Sequence, residues 1–136
     1  MAILVTGGAG YIGSNTCVEL LENGYDVVIL DNLVNASKKV VDRIEELSGK
    51  KVSFYEGDIR DRACLNRLFS EQKIDSVIHF AGLKAVGESV EKPWEYYENN
   101  ISGSLVLFDV MRKHGCKSII FSSSATVYGN PAQIPI

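Results

Sequence analysis

The sequence predicts an α/β protein whose core is a doubly wound parallel sheet, Rossmann-like and followed as far as its fifth strand. Three observations predict it. Short β-branched runs alternate with longer helical patterns along the 136 residues. Several runs are apolar at consecutive positions, as in strands buried on both faces of a parallel sheet. A glycine-rich turn, Thr6-Gly7-Gly8-Ala9-Gly10-Tyr11-Ile12-Gly13, leaves the first run and opens the first helical pattern. With right-handed crossovers, the βαβαβαβαβ order predicts the spatial order 3-2-1-4-5.

The five strand candidates are Ile3 to Val5, Asp26 to Leu30, Val52 to Tyr55, Ser76 to Phe80 and Lys117 to Phe121. In the first helix, Ile12, Cys17, Leu20 and Leu21 share a face, and Gly24 is a natural stop. Val40, Val41, Ile44 and Leu47 mark the second, which Gly49 ends. Asp61 caps the third, with Leu65, Leu68 and Phe69 inward. A short helix covers Val86 to Val90. Pro93 suits the first turn of a long helix running towards His114, with Ile101, Leu105, Phe108 and Met111 on one face and Gly115 at its end. Gly103 costs this helix roughly 1 kcal/mol against Ala, so its use there is close packing.

The length suits one domain with one core. Hydrophobic residues at 46% and charged residues at 23% fit a soluble globular chain. A net charge of −3 gives no basic surface for nucleic acid, and no apolar run reaches the roughly 18 residues of a membrane span. The start, Ala2-Ile3-Leu4-Val5, lacks a signal peptide's basic n-region, which makes a cytoplasmic location the default. Cys17, Cys64 and Cys116, like His79 and His114, are too scattered to suggest a disulfide framework or a metal site.

The glycine turn carries the strongest local chemistry. Gly8-x-Gly10-x-x-Gly13 matches the dinucleotide fingerprint, and Gly7-x-x-Gly10-x-x-Gly13 fits its wider spacing. Positions without a side chain let backbone reach a pyrophosphate, and the following helix start offers N–H donors and a positive dipole end; a tight turn that binds nothing is the bland alternative. Asp31 ends the second strand, 21 residues after Gly10. It can accept hydrogen bonds from both ribose hydroxyls and repel the extra phosphate of NADP, or it can cap a helix ahead of Asn32 and Asn35. Asp58, at the end of the third strand, suits an adenine amino group, with Ile59 against the ring; capping the third helix is its rival. Phe80-Ala81-Gly82-Leu83-Lys84 leaves the fourth strand with small residues that allow backbone approach. Lys84 suits ribose hydroxyls or a phosphate, or is plain solvated surface. Asn99 faces the sheet crevice or is ordinary helix surface. Ser122, Ser123 and Ser124 leave the fifth strand where open α/β sheets bind ligands. Without a Gly-x-Ser-x-Gly elbow they suit hydrogen bonding to a substrate oxygen better than nucleophilic attack.

These motifs, with Asp31-Asn32-Leu33, Gly57-Asp58-Ile59-Arg60 and Ser122 to Gly129, resemble the extended short-chain dehydrogenase/reductase family. More specifically, His79-Phe80-Ala81-Gly82-Leu83-Lys84-Ala85-Val86-Gly87-Glu88-Ser89-Val90, with Tyr96-Tyr97 and Asn99-Asn100, resembles its UDP-glucose 4-epimerases. The resemblance implies tightly bound NAD that takes a hydride from C4 of UDP-galactose or UDP-glucose and returns it to the other face of a 4-keto sugar. It implies cofactor contacts from Gly7, Gly10, Tyr11, Ile12, Gly13, Asp31, Asn32, Asn35, Asp58, Ile59, Phe80, Ala81, Gly82, Lys84, Asn99 and Ser122. Ser124 would hydrogen-bond the C4 oxygen and assist proton transfer, Thr126 would lie near the sugar, and the full-length parent would be a homodimer. Two departures stand out. Asn15 sits where histidine is common, which alters helix packing. The family's general base is the Tyr of Tyr-x-x-x-Lys, yet no tyrosine here has Lys four residues later. The expectation is therefore an incomplete NAD-binding domain over residues 1–136, without the substrate-binding C-terminal region and inactive alone. Other self-association is then possible through the uncovered fifth strand, unless Ala132 to Ile136 folds back on it.

Overall fold

Apolar residues alternate between two destinations along each central strand, and this builds three layers. In a computed structural model, which describes residues 1–134 apart from the side chains of residues 125 and 126, the strands are β1 (Ala2–Thr6), β2 (Asp26–Asp31), β3 (Ser53–Glu56), β4 (Ile74–His79) and β5 (Ser118–Phe121). All pair in parallel, in the order β3-β2-β1-β4-β5. The helices are α1 (Tyr11–Glu22), α2 (Lys39–Ser48), α3 (Arg62–Glu71), α4 (Val86–Glu91), α5 (Pro93–Tyr97) and α6 (Gly103–Lys113), with a π-helical turn over Glu98–Ser102 between the last two. Ile3, Val5, Val27, Ile29 and Ile78 pack with Cys17, Leu21 and Ile44 of α1 and α2. On the opposite face, Leu4, Val28, Leu30 and Val77 pack with Leu65, Leu68 and Phe69 of α3 and Leu107, Val110 and Met111 of α6. The predicted fold class and strand order are therefore observed.

The helix ends follow local chemistry. Gly24, at φ +85°, lets the Tyr25 N–H reach the Leu20 carbonyl and its own N–H reach that of Leu21, closing α1. Gly49 ends α2 in the left-handed region. The Asp61 carboxylate accepts from the N–H groups of Ala63 and Cys64, the predicted cap of α3.

Three expectations about faces are corrected. Ile12 points to solvent, because it lies in the first turn of α1 beyond the strand ends. Leu47 is exposed one turn past Ile44, where α2 has run off the sheet. The long helix is interrupted by the π turn, which resets its register. As a result Gly103, Ser104, Leu107, Val110 and Met111 face inward. Ile101, Leu105 and Phe108 do share a face, but it is the outer one, and of the predicted stripe only Met111 reaches the core. Gly103 meets its expected use: a Cβ there would lie 2.7 Å from Ile59 Cδ1. Residues 132–134 form no strand against β5, and residues 135 and 136 lie outside the described part.

Candidate functional site

Thr6, Asp31, Glu56, His79 and Phe121 end their strands side by side: Thr6 pairs with Leu30 and His79, Asp31 with Glu56, and His79 with Phe121. The chain reverses sheet direction between β2 and β4, on either side of β1, and the crevice opens there.

The glycine turn packs backbone on backbone. Gly7, at φ +70°, has no room for a Cβ, which would lie 2.8 Å from the Ala81 nitrogen. A Cβ on Gly13 would lie 2.2 Å from the Gly7 carbonyl oxygen. No side chain caps α1, so its first-turn N–H groups are left for a ligand at the mouth of the crevice. Tyr11 and Ile12 stand exposed around that mouth.

Asp31 is buried and latches the loop. Its Oδ2 accepts from the Ala9 N–H at 3.0 Å and its Oδ1 from the Leu33 N–H at 2.9 Å. It caps no helix, because α2 begins only at Lys39. Leu33 takes a positive φ of 58° as the chain turns away. A cleft of about 150 Å³ lies beyond, lined by Gly7, Gly10, Asp31, Asn32, Asn35, Ile59, Phe80, Ala81, Gly82 and Asn99 among others. Ten of the sequence-predicted contacts thus meet in one place. Asp58 is not among the lining residues, although its neighbours Gly57 and Ile59 are. Its carboxylate accepts from the Arg60 backbone N–H, Nε and Nη2 and from Asn32 Nδ2. The Arg60 guanidinium holds its pKa down at about 2. An adenine amino group has to exchange with one of these donors to reach it.

A second cleft, of about 340 Å³, is lined by Lys84, Ser122 and Ser124, together with His79, Asn100, Ser104 and Phe121. Ala81 and Gly82 line both clefts, so the two are ends of one groove. The Thr126 side chain lies outside the described residues. Asn15 is exposed and donates to the Tyr11 carbonyl.

Two polar residues had no role in the sequence reading. His79 is 2% exposed. Its Nδ1 lies 2.6 Å from Thr6 Oγ1 and its Nε2 3.1 Å from Ser104 Oγ. Ser104 Oγ donates to the Asn100 carbonyl, so its one proton is spent. His79 Nε2 must then donate to Ser104, and Nδ1 accepts from Thr6. Burial, helped by the charge of Lys84, lowers the imidazole pKa to about 4 and keeps it neutral. Asn100 holds both the N–H and the carbonyl of Leu83. For His79 the available signal was a histidine between apolar neighbours in a strand candidate, since a buried polar group needs a partner.

A profile of the NAD dependent epimerase/dehydratase family matches residues 3–136. The chain belongs to this family. It is 64% identical to the UDP-glucose 4-epimerase of Haemophilus influenzae over all 136 residues, and 59% identical to that of Bacillus subtilis. In both it covers 40% of the relative's length. The crystal structure of UDP-glucose 4-epimerase from Bifidobacterium longum in complex with NAD+ and UDP superposes with a TM-score of 0.97. There identity is 58%, over 100% of this chain and 41% of that one.

Proposed function

We propose that this chain is the dinucleotide-binding part of an NAD-dependent UDP-hexose 4-epimerase that interconverts UDP-galactose and UDP-glucose. The groove supports this reading most directly: a side-chain-free loop and an uncapped helix start stand beside a buried carboxylate, at the switch point of a parallel sheet. The residues present fit NAD. Gly7, Gly10 and Gly13 would let the pyrophosphate approach backbone, with Tyr11 and Ile12 at the helix start. Asp31, Asn32 and Asn35 would take the adenosine ribose, with Asp58 and Ile59 at the adenine. Phe80, Ala81, Gly82, Lys84, Asn99 and Ser122 would line the nicotinamide half. When bound, NAD would supply reversible oxidation at the sugar C4. Ser124 would hold the C4 oxygen by its hydroxyl, in the cleft that also contains Lys84 and Ser122, and Thr126 would lie near the sugar. Residues 1–136 would form one dinucleotide-binding domain. The general base would come from a part of the enzyme outside these residues, as would half of a homodimer surface. Among the described residues no helix is long and apolar enough to cross a membrane.

Calorimetry with NAD and NADP tests the reading. NAD should bind more tightly, because Asp31 repels a 2′-phosphate. Equal or tighter binding of NADP would overturn the assignment.

A further inference from the structure

The turn over Glu98–Ser102 is π-helical: the Gly103 N–H reaches the Glu98 carbonyl, an i to i+5 bond. Such turns interrupt helices at functional sites. Here the turn presents two consecutive asparagines to the groove, and their amide orientations follow from chemistry alone. The Leu83 N–H can only donate, and it lies 2.8 Å from Asn100 Oδ1. The Leu83 carbonyl can only accept, and it lies 3.0 Å from Asn100 Nδ2. Two main-chain groups of fixed polarity thus allow one orientation of the Asn100 amide. Asn99 approaches that same Oδ1 at 2.9 Å, so the approaching atom must be its donor, Nδ2. Asn99 is 8% exposed and lines the first cleft. Its Oδ1 is left with no protein donor among the described residues, and it is not sealed from the cleft.

We infer that Asn100 is a positioning residue of the groove. It turns the Asn99 carbonyl oxygen towards the ligand as an acceptor for a hydroxyl of a bound dinucleotide, and it pins the Gly82–Lys84 loop that separates the two clefts. This rests on the dinucleotide reading above. Asn100 touches no cofactor in this scheme and acts through Asn99 and Leu83.

The test is a double-mutant cycle on the 136-residue chain, with NAD affinity read by calorimetry and melting temperature read in parallel. Asn99→Ala and Asn100→Ala should each weaken NAD by up to about tenfold, the worth of one hydrogen bond. The double variant should lose clearly less than the product of the two, because part of the Asn100 effect runs through Asn99. If Asn100→Ala does not fold, Asn100→Ser carries the same cycle. Multiplying losses or an unchanged Asn100→Ala affinity would overturn the inference. Failure of the unsubstituted chain to bind NAD at all would overturn the functional reading itself, and this inference with it.

Discussion

Asp31 does two jobs at once, and a substitution there must disturb both. Its two oxygens already hold the Ala9 and Leu33 N–H groups, so the carboxylate that would select NAD also fixes the glycine loop that would receive the pyrophosphate. Asp31→Ala should narrow the NAD/NADP difference, and should also cost about 1–3 kcal/mol of stability for the donors it strands. Calorimetry and urea denaturation of one variant read the two effects separately. His79 makes a pH-dependent contribution whose sign is fixed by its burial. Its pKa falls from 6.5 to about 4 in the folded chain. Between those values the unfolded chain binds the proton and the folded chain does not. Stability from this group is therefore complete above about pH 6.5, and is lost as pH falls towards 4, by on the order of 3 kcal/mol. Denaturation midpoints across that window should show the slope, and His79→Gln should flatten it. A slope unchanged by the substitution would mean that another group carries it.

At the scale of elements, the glycine turn is the least tolerant segment. In Gly13→Ala the new Cβ would press on the Gly7 carbonyl. The loop or α1 must then shift, at about 1–3 kcal/mol, and NAD affinity should fall by more than stability alone explains. Thermal melts with and without NAD check this, a preserved ligand-induced shift being the contrary result. These glycines, all five strands and the Asp61 cap were legible in the sequence, because each depends on local pattern: spacing, apolar runs or a capping residue before a helix. The faces of the long helix were not. Ile101, Leu105 and Phe108 have the spacing of a buried stripe, yet the π turn at 98–102 rotates them outward and brings Leu107 and Val110 in. No residue pattern announces an extra residue in a turn. His79 and Asn100 were missed for a related reason: their roles exist only through partners up to 73 residues away in the chain, Thr6 and the Leu83 loop among them.

At the scale of the whole molecule, the proposed chemistry and the fold would stand on different residues. The chain holds Ser124 but no Tyr-x-x-x-Lys. A missing general base typically costs about 10²–10⁴-fold, so protein of verified 136-residue mass should turn over UDP-galactose at a small fraction of a relative's rate. Robust turnover would refute this. The sheet should also be unevenly protected. β1 is paired on both sides, whereas β5 is an edge strand with Ile120 and Phe121 exposed. Amide exchange at residues 118–121 should be faster than at residues 2–6, and light scattering should rise with concentration as that edge finds partners. Equal protection in a monomer would show the edge already covered. The five strands stop level with one another, and most of both hydrophobic layers lies behind that line. Part of the groove's wall, the loop over residues 34–36, is therefore free to vary without touching what holds the chain together. A library randomised at Val34, Asn35 and Ala36 should retain its melting temperature in most members while spreading widely in nucleotide preference. Tolerant and forbidden positions of this protein thus share one groove, residues 34–36 among the first and Gly7, Asp31 and Ile59 among the second.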